Sequence, residues 1–138
     1  MGTSLPHLLE RSEVVTMLEN TRKILRPEGP LVITQGISGK FVREKPLLIP
    51  VITKRNFSRI FGMEYGIQTL KIHVLDLMHT EDRQQTKEFC FEYQILLQDD
   101  YLRLLEAAGY HDIEFFADYR QTPYDRETSD RMTVVAFG

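Results

Sequence analysis

An α/β fold is predicted from three features of the sequence. A helical stripe over Ser12–Leu25 passes through a Pro-Glu-Gly turn into the apolar run Leu31–Gln35. Two segments, Ile67–Met78 and Lys87–Leu97, alternate with the two-residue period of strands. A second helical pattern, Asp99–Ala108, leads into the strand-like segments Asp112–Ala117 and Met132–Phe137. A helix that feeds a strand in this way is half of an α/β layer unit.

In the first helix, Val14, Leu18 and Leu25 recur at helical spacing, with Val15 and Ile24 widening the stripe. Ser12 is the expected N-cap, and Glu13 places an anion at the positive end of the helix dipole. Arg22, Lys23 and Arg26 place cations at the opposite end, and Pro27 and Gly29 stop the helix. Leu31, Val32 and Ile33 are continuously apolar, the pattern of a strand buried on both faces. Gly36–Pro50 reads as loop, because Pro46 and Pro50 suit no helix interior. Asn56–Tyr65 is expected to form a short helix.

Leu70, Ile72 and Val74 share one face of the next strand, opposite Lys71 and His73. Phe89, Phe91, Tyr93, Ile95 and Leu97 share one face of its partner. The polar stretch His79–Thr86 joins the two as an antiparallel hairpin. In the second helix, Asp99 is the expected N-cap and Gly109 the C′ residue. Leu102 and Leu105, with Leu104 and Ala108, form its expected buried stripe. The polar loop Asp118–Asp130 then joins two strands expected to be antiparallel neighbours. The whole reads as one domain, 1–138, with an inserted hairpin at 67–97 and no internal repeat.

The chain has 138 residues, of which 42% are hydrophobic and 27% charged, enough for a real core and against wholesale disorder. Lys and Arg number 17 against 20 for Asp and Glu, a net charge of −3 that argues against a nucleic-acid binder held by general electrostatics. The single cysteine, Cys90, excludes an intramolecular disulfide and leaves a cysteine zinc site without ligands. No apolar run approaches a membrane span, and the N-terminus has no signal-peptide pattern. A reducing, cytoplasmic compartment and no membrane partner are therefore expected.

Several local patterns suggest chemistry and are weighed against ordinary readings. Gly36–Lys40, G-I-S-G-K, follows a strand as a phosphate loop does, but the glycine spacing is wrong and Phe41 stands where Ser or Thr is needed. An ordinary loop is preferred. His73 and His79 share a strand face while Asp76 points away, and the two histidines lie about 20 Å apart in an extended strand, which argues against a metal site. Cys90 is mid-strand, and Ser38 lacks a nucleophile elbow. The loop Tyr119–Arg131 carries Tyr119, Arg120, Tyr124, Arg126 and Arg131 beside Asp118, Asp125, Glu127 and Asp130. A solvated, self-neutralising loop is preferred to a pocket rim whose Arg and Tyr donors meet an anionic or polar ligand.

The order of these pieces resembles a class I S-adenosylmethionine-dependent methyltransferase. Leu25-Arg26-Pro27-Glu28-Gly29 is similar to the family's L-[KR]-P-G-G segment before strand five, with Glu28 in place of the first glycine. Ser4–Leu9, SLPHLL, resembles the segment after strand four. Tyr93–Tyr119 resembles the late helix, A-G-[FY] and strand six, and the tail from Gln121 resembles the loop and strand seven. The glycine-rich E/D-x-G-x-G-x-G turn and the acidic residue for the ribose hydroxyls have no counterpart, and Met1 falls where strand four ends.

The resemblance implies a partial Rossmann-like methyltransferase sheet, with equivalents of strands five to seven, helices and the inserted hairpin. It implies the substrate-side, C-terminal half of an enzyme that uses S-adenosylmethionine on a small-molecule acceptor, the cofactor being held by a missing N-terminal half. It places Ser4 and Leu5 near the cofactor's methyl group. His7 is then the nearby candidate base, with a plain loop histidine an equal alternative. Tyr65, Tyr93, Arg120 and Tyr124 are the candidate substrate residues, and the hairpin is the substrate cover. Leu31–Thr34 would lie at a sheet edge, which suggests a homodimer or a partner chain. The alternative is a non-catalytic binding or dimerisation module that keeps this fold.

Overall fold

A computed structural model describes residues 4–138. Met1, where the resemblance ends strand four, lies outside the described residues. A 3-10 turn, Leu5–His7, precedes helix α1, Arg11–Ile24, and strand β1, Pro30–Gln35. Helix α2, Gly39–Glu44, leads to strands β2, Leu48–Lys54, β3, Phe57–Tyr65, β4, Thr69–His79, and β5, Gln84–Gln94. Helix α3, Gln98–Ala107, and strands β6, His111–Phe116, and β7, Met132–Phe137, complete the chain. These elements divide into two compact units: the segment ending at Glu44 together with Gln94–Gly138, and the intervening Lys45–Tyr93.

The first unit is built on a three-stranded sheet in the order β1-β7-β6. β7 is antiparallel to both neighbours, so β1 and β6 run the same way and end beside the start of β7. Leu31 and Ile33 of β1 and Met132, Val134 and Ala136 of β7 join Val14 and Leu18 of α1 and Leu104 and Leu105 of α3 in one buried core. Fully burying one such side chain stabilises the fold by about 1.5–3 kcal/mol. β1 is buried on alternate residues rather than on both faces: Leu31, Ile33 and Gln35 are buried while Val32 is 37% exposed. The helices cover one face of the sheet, and the apolar run therefore has one wetter side.

The N-cap of helix α1 lies two residues earlier than the sequence suggests. Glu10 is its N-cap, and the Glu10 carbonyl accepts from the Glu13 and Val14 amides, which leaves Ser12 inside the first turn. Ile24 is 84% exposed and lies off the core stripe. Helix α3 likewise begins at Gln98, with Leu97 rather than Asp99 at the N-cap position. The Asp100 carboxylate caps it, accepting from the Leu97 amide at 3.1 Å and from Arg11 at 2.7 Å. Its buried stripe is Tyr101, Leu104, Leu105 and Ala108, while Leu102 is exposed. Gly109 has φ +83° and closes the helix in the left-handed conformation that glycine adopts without strain.

The turn between α1 and β1 holds the departure from the L-[KR]-P-G-G pattern. The Gly29 amide donates to the Arg26 carbonyl at 2.8 Å, with Pro27 and Glu28 at the turn's centre. Glu28 has φ 60°, the position of a type II turn that favours glycine. The departure from the L-[KR]-P-G-G pattern thus falls where backbone strain is expected.

The second unit is a four-stranded sheet in the order β2-β3-β4-β5. Asn56–Tyr65 is not a helix. Phe57–Tyr65 forms β3, paired antiparallel with β4 along its length and with β2 over Phe57–Gly62. Its aromatic and β-branched residues satisfy a half-buried pleated surface better than a helix. The region read as loop contains α2 and β2. Pro50 sits on β2, at the end of the sheet order, beside a register shift between Pro50 and Ile52. Edge strands and bulges are where a strand tolerates a residue without an N–H. β4 and β5 occupy the predicted hairpin, and β2 and β3 extend it into the larger sheet.

Leu70, Ile72, Val74 and Asp76 are all buried on one face of β4. Asp76 lies opposite Arg59 in register, and the two form a bidentate pair with both N–O distances at 2.7 Å. The Arg59 guanidinium also lies 5.8 Å from the ring centres of Phe57 and Phe89.

Candidate functional site

The carboxyl ends of β1 and β6 and the start of β7 frame a cleft of ≈ 420 Å³. Ligands of open α/β sheets characteristically bind at such strand ends. Thr34, Gly36, Asp118, Tyr119, Arg131 and Thr133 line it. Thr34 and Thr133 face each other in register on the sheet face away from the helices, by alternation with buried Ile33 and Val134.

The backbone around the cleft is fixed by buried polar groups. The Gln35 side chain donates to the carbonyls of Ile37 at 3.0 Å and Leu96 at 2.7 Å. Its oxygen accepts from the Tyr101 hydroxyl at 3.0 Å. Burial raises the Tyr101 phenol well above its ordinary value, so it remains a donor. Just beyond, buried Ser38 accepts from the Phe41 amide in the first turn of α2.

The 118–130 loop that closes the cleft is strapped to the helices. The Tyr124 hydroxyl accepts from the Gly39 amide at 3.1 Å. Lys40 pairs with Asp130 at 2.6 Å, and Arg43 pairs with Glu127. Arg126 pairs with Asp99 and donates to Gln98 at 2.7 Å. Within the loop, Asp118 accepts from the Arg120 amide and from the Thr122 amide and hydroxyl, which holds its carboxyl below the usual range. Asp125 accepts from the Glu127 and Thr128 amides with the same effect.

The residues singled out from sequence are distributed between the two units. Ser4 is exposed, Leu5 is buried in the first unit's core, and His7 is exposed at the end of the 3-10 turn. Gln94, itself 4% exposed, donates to the Leu9 carbonyl at 2.9 Å and so anchors the end of this segment. Its Oε1 is buried and has no hydrogen-bond partner among the described residues. Tyr124 and Arg120 belong to the first unit, but neither lines the cleft. Tyr65, whose hydroxyl donates to the Pro46 carbonyl at 2.9 Å, and Tyr93, whose ring lies 5.0 Å from that of Phe91, belong to the second. Thr34, Thr133 and Gly36 carry no chemical signature in sequence. Strand parity places the two threonines together, and only the antiparallel register of β1 and β7 reveals it.

G-I-S-G-K does not cradle a phosphate, although a short helix does start at Gly39. A Cβ at Gly39 would lie 2.7 Å from the Arg126 carbonyl, so the space left by this glycine is filled by the chain itself. Among the described residues no group of three His, Cys, Asp or Glu side chains is placed to hold a metal ion. His73 lies 3.2 Å from Glu64, on the opposite face from Asp76. No helix among the described residues is long and apolar enough to cross a membrane.

No protein-family profile matches the sequence, and no curated protein matches it. Solved structures do. An S-adenosylmethionine-dependent methyltransferase from Clostridium acetobutylicum matches 98% of this chain and 55% of its own, with TM-score 0.81 and 7% identity. The fold is that of an S-adenosylmethionine-dependent methyltransferase. The CcbJ methyltransferase from Streptomyces caelestis matches 97% of this chain and 56% of its own, with TM-score 0.79 and 17% identity. The sugar N-methyltransferase KedS8 from Streptoalloteichus matches 99% and 53%, with TM-score 0.71 and 17% identity. This methyltransferase-like chain thus spans about half the length of the structures it matches. The sequence carries no glycine-rich turn of the E/D-x-G-x-G-x-G type.

Proposed function

We propose that this chain is the C-terminal, substrate-side part of an S-adenosylmethionine-dependent methyltransferase that acts on a small-molecule acceptor. The observation that carries the reading is the pair of coverages: nearly all of this chain aligns with about half of each methyltransferase. The cofactor is held by an N-terminal half or by a partner chain, and a homo-oligomer is the alternative assembly. That the solved neighbours include a sugar N-methyltransferase and an amino pentose methyltransferase supports a small polar acceptor.

Methyl transfer from a sulfonium is an in-line displacement whose chief needs are alignment of the acceptor and, for some acceptors, removal of its proton. The exposed imidazole of His7 is the proposed proton acceptor. Ser4 and the backbone of Leu5 shape the same segment, since the Leu5 side chain is spent in the core. Arg120 and Tyr124 of the first unit and, separately, Tyr65 and Tyr93 of the second remain proposed acceptor-binding residues.

The test is complementation. Mixing this chain with a separately expressed segment carrying the glycine-rich motif and strands one to four should yield transfer of labelled methyl that neither part gives alone. His7→Ala should lower the rate 10²-fold or more if the histidine is a general base. Assembly of the two parts without transfer to any acceptor would favour the second reading, a binding or dimerisation module. The missing cofactor motif is what supports that alternative.

A further inference from the structure

Most charged side chains of the 118–130 loop are occupied, chiefly by partners outside the loop. Asp130, Glu127 and Arg126 pair with Lys40, Arg43 and Asp99 respectively, and Asp125 is occupied by backbone amides. Arg131, at the loop's end, is exposed and has no ion-pair or hydrogen-bond partner among the described residues. This leftover cation is the one that lines the cleft.

The rest of the cleft suits the same chemistry. The exposed Tyr119 hydroxyl and the Thr133 hydroxyl can both donate. The cleft's carboxylate, Asp118, already accepts hydrogen bonds from within its own loop. The planar fork of an arginine matches two oxygens of one anion.

We propose that the cleft at the carboxyl ends of β1 and β6 binds an oxyanion, the carboxylate or phosphate group of a small molecule, on the Arg131 guanidinium with Tyr119 and Thr133 as supporting donors. This goes beyond the methyl-transfer reading and does not depend on it. Either can fail without the other.

The test is titration of the ¹⁵N-labelled chain with inorganic phosphate and, separately, with acetate at constant ionic strength. Saturable amide shifts confined to Gly36, Asp118 and Thr133, with millimolar midpoints, are expected. Saturation by both anions assigns a general oxyanion site, and saturation by phosphate alone narrows it to phosphate. Arg131→Met should weaken binding at least tenfold, while Arg131→Lys, which keeps the charge but loses the fork, should retain weaker saturable binding. Arg103→Met, on the exposed face of α3, should leave the curves unchanged. Shifts that never saturate, or that persist equally in Arg131→Met, would overturn the proposal.

Discussion

The two units of this chain are stabilised in different ways. The first buries a contiguous apolar core between two helices and one sheet face. The second has no helix, and a charged residue, Asp76, stands in its buried row beside Leu70, Ile72 and Val74. Its strands and connections also carry Leu48, Val51 and Phe89, each at least 47% exposed, and Ile67 fully so. Burial of apolar area is the dominant stabilising effect, so the first unit should hold most of the chain's stability. The second relies more on its strand ladder and on one oriented ion pair.

The sharpest way to break that comparison is to truncate one side chain in each unit. Leu18→Ala removes a fully buried leucine and should cost about 2–5 kcal/mol in urea unfolding followed by circular dichroism. Phe89→Ala in the second unit should cost under about 1 kcal/mol, because the ring is half exposed and loses mainly its contact with Arg59. Equal losses would contradict the contrast.

Next in size is Tyr101→Phe. It deletes the hydroxyl that donates to buried Gln35 and should cost about 1–3 kcal/mol. The same change should broaden the amide signals of Gly36 and Ile37 beside the cleft, which a core change elsewhere would not.

The ion pair of the second unit sharpens the contrast through pH. The Arg59 guanidinium beside Asp76 holds its carboxyl below the usual range. The unfolded chain therefore binds more protons than the folded one near pH 4. The resulting stabilisation is present above about pH 4 and is lost as pH falls through the depressed value. Hydrogen exchange should show β3 and β4 loosening on acidification, and Asp76→Asn should remove that dependence. The same acid loosening of β3 and β4 in Asp76→Asn would count against it.

The smallest expected effect is a gain. Glu28→Gly relieves a left-handed backbone and should stabilise the chain by up to about 1 kcal/mol, measured as a raised melting temperature.

The sequence was most legible where one residue type settles the local structure. Gly109 stops α3, Pro27 and Gly29 end α1, and the alternation of Leu70, Ile72 and Val74 marks a buried strand face. It misled where local pattern competes with tertiary pairing. Asn56–Tyr65 has no helix-breaking residue before Gly62, and only its neighbours β2 and β4 make it a strand. Leu31–Ile33 looked buried on both faces because apolar residues are also common on wet surfaces. Tyr101 was overlooked as core because its hydroxyl needs a partner, and Gln35 lies 66 residues away. The cleft was half legible. The loop's arginines and tyrosines offer a rim only as the less favoured reading beside a solvated loop, and which of them is left unpaired depends on ion pairs to α2 and α3 that no local pattern encodes.

The most direct test of the functional account is a calorimetric titration of the isolated chain with S-adenosylmethionine. A chain that carries only the substrate side should give no saturable heat up to millimolar ligand. Saturable micromolar binding by the chain alone would mean that it holds a complete cofactor site without a glycine-rich turn, and would contradict the account.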